Sequence, residues 1–176
     1  MLSTLVMTII ADDRPGIVQL VADTIAAAGG NWLESRLCRL GGQFAGIVRA
    51  EIEDSKADAL AVALKALEAR GLRIQIHTED AGKDASVQGT LVTIDLVGHD
   101  RPGIVKTITG VLSARGVNVE EFSSECVNSP MDGAQLFQAR ATLLLPPTLT
   151  LAALRTELEQ IASDLMVDLQ VGTPAR

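Results

Sequence analysis

The sequence predicts an α+β fold built as two tandem βαββαβ units, on three observations. Asp13-Arg14-Pro15-Gly16-Ile17-Val18 returns unchanged as Asp100-Arg101-Pro102-Gly103-Ile104-Val105. With that shift of 87 held constant, residues 13–34 match 100–121 at 10 of 22 positions, through to a Gly-x-Asn ending in Asn31 and Asn118. An identity that stays in register to a second landmark marks a duplicated structural unit. Finally, the apolar spacing within each half alternates between the strand period of two and the helix period of 3.6 in the same order.

The first half opens with a strand over 4–11, where Leu5, Met7 and Ile9 share one face. Pro15 suits the first turn of a helix, where its missing N–H costs nothing, which places Asp13 or Arg14 at the N-cap. Ile17, Val21 and Ile25 keep helical spacing until Gly29-Gly30 ends the helix. A strand over 31–40 meets a hairpin signal at Gly41-Gly42, and Phe44 to Ile52 returns as a third strand. Lys56 to Arg70 is an amphipathic helix with Leu60, Leu64 and Leu67 on one face. Gly71 stops it, and Leu72 to Ile76 alternates as a strand.

Residues 79–88 hold almost no large apolar side chain and read as a linker, which bounds the units at 1–78 and 89–176. The order then repeats. Val92, Ile94 and Leu96 form a strand face. Ile104, Ile108, Val111 and Leu112 line a helix ended by Gly116, and Val117 starts the next strand. Asn128 to Gly133 is a longer loop than its counterpart, followed by a strand from Ala134 to Leu145 that Pro146-Pro147 ends. Leu151, Leu154, Leu158 and Ile161 make the last helix face, and Leu165 to Val171 closes as a strand. This order is the ferredoxin-like arrangement, a four-stranded antiparallel sheet with both helices on one face.

Composition narrows the function. Hydrophobic residues make up 47% of the 176 residues, so each unit has material for an aliphatic core. The net charge of −7 and the absence of a Lys/Arg cluster speak against direct nucleic-acid binding. Cys38 and Cys126 are too few for a disulfide framework and read as buried, reduced strand fillers. His77 and His99 have no metal-ligand spacing with either cysteine, so no metal or cofactor is expected. The apolar first ten residues read as a strand instead of a signal peptide, and no apolar run spans a bilayer, which points to the cytoplasm. No nucleophile elbow, phosphate loop or dinucleotide fingerprint is present, so catalysis is not expected.

The repeated corner is the candidate site. Helix starts carry unpaired backbone N–H groups that attract carboxylates. Gly16 and Gly103 let a ligand approach the backbone at Ile17 and Ile104. Asp13 and Asp100 can accept from an ammonium group, Asn31 and Asn118 can serve either end, and Arg14 and Arg101 stand beside them. Together the groups match a small zwitterion. The same residues have a structural reading, which spacing alone favours: an Asp cap worth about 1 kcal/mol, a glycine that eases packing, and an Asn that bridges a turn.

The Asp-Arg-Pro-Gly-Ile-Val corner, its helix and the Gly-x-Asn strand start resemble an ACT domain. Two in tandem, with Ala11 to Val18, Gly30-Asn31, Ser35-Arg36-Leu37 and Leu40-Gly41 in the first, are similar to the glycine cleavage system transcriptional repressor family. Similar turns precede the catalytic domains of formyltetrahydrofolate deformylase and some phosphoserine phosphatases. The resemblance implies a cytoplasmic regulator that senses an amino acid, glycine or a similar small one, acts through a LysR-type activator and forms a homodimer. In serine-sensing ACT domains of a phosphoglycerate dehydrogenase, an Asn stands at the place of Asp13 and Asp100, and a His stands where this chain has Ala11 and Gly98. The downstream Asn matches Asn31 and Asn118, but the His does not carry over. The alternative is an interaction module or regulatory subunit with no small-molecule response.

Overall fold

Two four-stranded antiparallel sheets, each with its own pair of helices, account for the regular structure in a computed structural model that describes residues 1–79, 88–129 and 133–172. Contacts divide the chain into units Met1–Ala85 and Ser86–Arg176. Residues 80–87 of the expected linker and 130–132 of the expected loop lie outside the described residues.

The first unit runs β1 (Leu2–Asp12), α1 (Ile17–Ala27), β2 (Asn31–Leu40), β3 (Gln43–Glu53), α2 (Asp54–Lys65), a 3-10 turn (Ala66–Arg70) and β4 (Leu72–Thr78). Its strand order is β2-β3-β1-β4. The period of two in β1 has the predicted effect: Leu5, Met7, Ile9 and Ala11 are buried, facing Ile17, Val21 and Ile25 of α1 and Leu60 and Leu64 of α2. Burial of each such Leu or Ile contributes about 1.5–3 kcal/mol. Gly41 and Gly42 both take positive φ, which the tight β2–β3 turn requires.

The second unit repeats the order with β5 (Thr90–His99), α3 (Ile104–Ala114), β6 (Asn118–Asn128), β7 (Gln135–Leu145), α4 (Leu151–Leu165) and β8 (Val167–Gly172), in sheet order β6-β7-β5-β8. Val92, Ile94 and Leu96 face Ile104, Ile108 and Leu112. Both units are the ferredoxin-like fold.

Four details differ from the expectations. The first helix begins at Ile17, because Gly16 is its N-cap with φ +90 and no side chain caps it; Pro15 precedes the helix and neither Asp13 nor Arg14 caps it. The second helix begins two residues early at Asp54 and finishes as a 3-10 turn. The last strand starts at Val167, after Met166 closes α4 in the left-handed conformation. Cys38 and Cys126 are exposed, not buried. They sit on β2 and β6, each at one edge of its sheet, and Cys38 also lies on the row with Ala45 and Ile10 that faces away from the helices. Nor are they counterparts: at the constant shift Cys126 matches Arg39 and Cys38 matches Glu125.

Among the described residues, no helix is long and apolar enough to cross a membrane.

Candidate functional site

Each corner is built by a strand that ends and a four-residue connection, Asp-Arg-Pro-Gly, whose glycine caps the helix. In the first unit, the Asp13 N–H donates to the Gly42 carbonyl at 2.9 Å, which ties the end of β1 to the β2–β3 turn. Gly16 then takes φ +90, and its carbonyl accepts the first helical bond from Leu20 N–H at 2.9 Å. In the second unit, Asp100 N–H donates to Gln135 O at 3.0 Å, Gly103 takes φ +95, and Thr107 N–H donates to Gly103 O at 2.9 Å. A Cβ built on either glycine meets nothing within 4 Å. Backbone conformation therefore demands glycine here, not lack of room, and the space above both corners is open. No side-chain oxygen caps α1 or α3, so their first-turn N–H groups carry no side-chain acceptor. Ile17 and Ile104 are buried and anchor the helices to the sheets.

The polar groups of the two corners differ. Asp13 is held by Arg39 from β2, Nε to Oδ2 at 2.5 Å. Cys126 stands at the position that matches Arg39, and among the described residues the Asp100 side chain has no hydrogen bond or ion pair. Arg14 lines an open cleft with Pro15, Gly16 and Arg70, and its guanidinium donates to the Arg70 carbonyl at 2.5 Å, at the C-terminal end of the 3-10 turn. A cation there suits the negative end of the helix. Arg101 lies by the corresponding end of α4, 3.9 Å from the Met166 sulfur. Sequence spacing gave no sign of this second use of the repeated arginine. It becomes visible only when Gly71 and Met166 are recognised as matching left-handed helix ends.

The structure does not bring Asn31 or Asn118 to the corner of its own unit. Asn31 pairs with Glu51, which pairs with Thr4, whereas Asp13 follows the far end of β1. Nine residues of extended strand separate Thr4 from Asp13, roughly 30 Å. Asn118 pairs with Leu144 and through it with Leu91, equally far from Asp100. The cause is the helix between them, which returns the chain along the sheet to the opposite end. Asn118 instead helps to line an open groove with Thr109, Leu112 and Gly116, and its side-chain amide donates to the Glu120 carboxylate. Trp32, one residue beyond Asn31, is half-buried against the first core.

Comparison with known proteins follows the two-unit geometry. Residues 3–79 match the family model of the ACT domain. Of curated proteins, none matches the chain. A crystal structure of an unknown protein from Galdieria sulphuraria superposes with a TM-score of 0.88 at 24% identity, over 99% of this chain and 100% of that one. A crystal structure of a protein provisionally named a glycine cleavage system transcriptional repressor superposes with a TM-score of 0.70 at 20% identity, over 98% of this chain and 97% of that one. The two-unit architecture is thus shared along the full length of both.

Proposed function

With its first unit an ACT domain and its second a repeat of the same fold, we propose that the chain is a non-catalytic, amino-acid-responsive regulatory protein. In this reading it binds glycine or a similar small amino acid in the cytoplasm and acts as a glycine cleavage system repressor-like factor through a LysR-type activator. The net charge of −7 suits contact with a DNA-binding protein better than contact with DNA. The observation that carries the proposal is the duplicated glycine corner, open to solvent and without a side-chain cap in both units.

In each corner the first-turn N–H groups bind the ligand carboxylate, and the Asp takes its ammonium. Asp100 is the available carboxylate, since Asp13 is engaged by Arg39. Asn31 and Asn118 lie too far from their own Asp to share one ligand with it. A partner copy of the chain supplies them, which makes the homodimer part of the response. Ligand then shifts the association of copies by its preference for one arrangement.

Calorimetric titration with glycine, serine and alanine tests the reading. Saturable heat that Asp100→Ala weakens supports it, and no heat with any amino acid refutes it.

One observation favours a second reading, an interaction module with no small-molecule response. In the first unit, Arg39 and the Arg70 carbonyl already engage Asp13 and Arg14, as a purely structural corner requires. Partner capture that is indifferent to amino acids separates the two.

A further inference from the structure

We propose that the open face of the first unit's sheet, away from that unit's two helices and its glycine corner, carries a binding cleft for a zwitterionic amino acid with an aliphatic side chain. The register across the strands assembles it. Glu34, Arg49 and Val6 form one cross-strand row on β2, β3 and β1, and Arg36 lies directly opposite Ile47 in the next row. Glu79, at the end of β4, reaches the same place, held by its N–H to the Thr4 carbonyl at 2.8 Å. These residues bound a cleft of ≈ 340 Å³, within the size range of small-molecule sites.

Its charges are arranged for a ligand that has both signs. Arg49 bridges two carboxylates, Glu34 at 3.3 Å and Glu79 at 3.0 Å, and so fixes their positions. Arg36 is exposed and, among the described residues, has no hydrogen bond or ion pair, which leaves a guanidinium for a carboxylate. The Glu34 side chain is 68% exposed and can take an ammonium beside its bond to Arg49. Val6 and Ile47 form an apolar floor between the charges, and Ile47 is 50% exposed. An aliphatic side chain would cover that floor.

The fold does not require this cluster. In the second unit, Thr142 lies opposite Glu121 where Arg49 lies opposite Glu34, and Arg140 lies opposite Ser123 where Ile47 lies opposite Arg36. The same sheet forms there with one carboxylate, Glu121, at the place of Glu34, but without the two arginines at these positions and without the apolar floor, since Thr93 and Arg140 stand where the first unit has Val6 and Ile47. The cleft stands apart from the corner reading and does not depend on it.

The test is calorimetric titration of the full chain with valine, in wild type, Asp13→Ala/Asp100→Ala, and Arg36→Glu. The double corner variant is expected to retain one valine per chain. Arg36→Glu in that background is expected to weaken it at least about tenfold, the equivalent of one charge-assisted hydrogen bond. Arg36→Lys should keep most of the affinity, and the exposed position leaves the unfolding midpoint unchanged. If the corner variant binds no valine, or Arg36→Glu binds it as tightly, the cleft is refuted while the corners stand. If wild type and the corner variant bind valine identically and Arg36→Glu abolishes it, the cleft stands, and the corners are decided by the glycine titration. No valine binding to wild type refutes the cleft.

Discussion

Arg39→Ala should open the first corner to ligand at almost no cost in stability. In the native protein, an ammonium group that approaches Asp13 must displace the Arg39 guanidinium, 2.5 Å from the carboxylate. The two side chains are 70% and 31% exposed, so solvent screens the pair and it contributes about 0.2–1 kcal/mol. That is the energy a ligand spends on competition. Its removal raises affinity at the first corner by about 1.4- to 5-fold, at tenfold per 1.4 kcal/mol.

Among the described residues the second corner has no such competitor, so the measurement needs it silent. Titration of Asp100→Ala with glycine, with and without Arg39→Ala, isolates the first corner. The gain should shrink as salt rises, because screening weakens the native pair that Arg39→Ala removes. Urea unfolding of Arg39→Ala should show a loss of no more than about 1 kcal/mol. Unchanged or weaker glycine binding on removal of Arg39 would show that Asp13 is not a ligand group. Equal losses from Asp13→Ala and Asp100→Ala in the otherwise native chain would show that the two corners are not distinguished by their pairing.

Gly16→Ala and Gly103→Ala should each destabilise the protein by about 1–2 kcal/mol in urea unfolding, from the left-handed backbone alone, since a methyl at either site touches nothing. Gly98→Ala acts by a different cause: its Cβ would lie 2.3 Å from Val167 Cγ1, so β8 must shift, at a cost of about 1–3 kcal/mol. Met166→Gly should stabilise the second unit by about 0.5–1 kcal/mol, because Met166 has φ 53 where Gly71 closes the matching helix end; a lower urea midpoint would contradict this.

The fold was legible because its signals are local and mutually consistent. Leu5, Met7 and Ile9 announce a half-buried strand, Ile17, Val21 and Ile25 a helix face, and Gly41-Gly42 the hairpin, and each is where the pattern places it. The site was less legible, for three physical reasons. A Pro-Gly pair fits the first turn of a helix as well as the turn before it, so Gly16 was not distinguishable as the cap. Asp13 and Arg39 come together only because the β2–β3 turn folds back beside the end of β1, a matter of register and not of spacing. Burial on a strand also depends on whether the strand is central, and alternation says nothing of that. Cys126 shares a row with the buried Phe137 and is exposed because β6 is an edge, whereas Cys38 is exposed because its row, with Ala45 and Ile10, faces away from the helices.

Duplication supplies an internal control that a single domain lacks. Positions identical in both units and buried or left-handed in both, such as Ile17 with Ile104 and Gly16 with Gly103, meet a need of the shared fold, whatever else they do. Positions where one unit carries a charge and the other does not cannot be required by the shared fold, because the other unit forms the same sheet without it. Arg39 against Cys126, Arg36 against Ser123 and Arg49 against Thr142 are of this second kind, and all three charges belong to the first unit. One pairs with the corner carboxylate and the other two border the cleft on the open face. The second unit has unmatched charges of its own, Arg140 paired with Asp95 where the first has Ile47 and Thr8, so one fold presents two different charged faces. A titration of the intact protein then sums unlike sites, and only variants confined to one unit can resolve them.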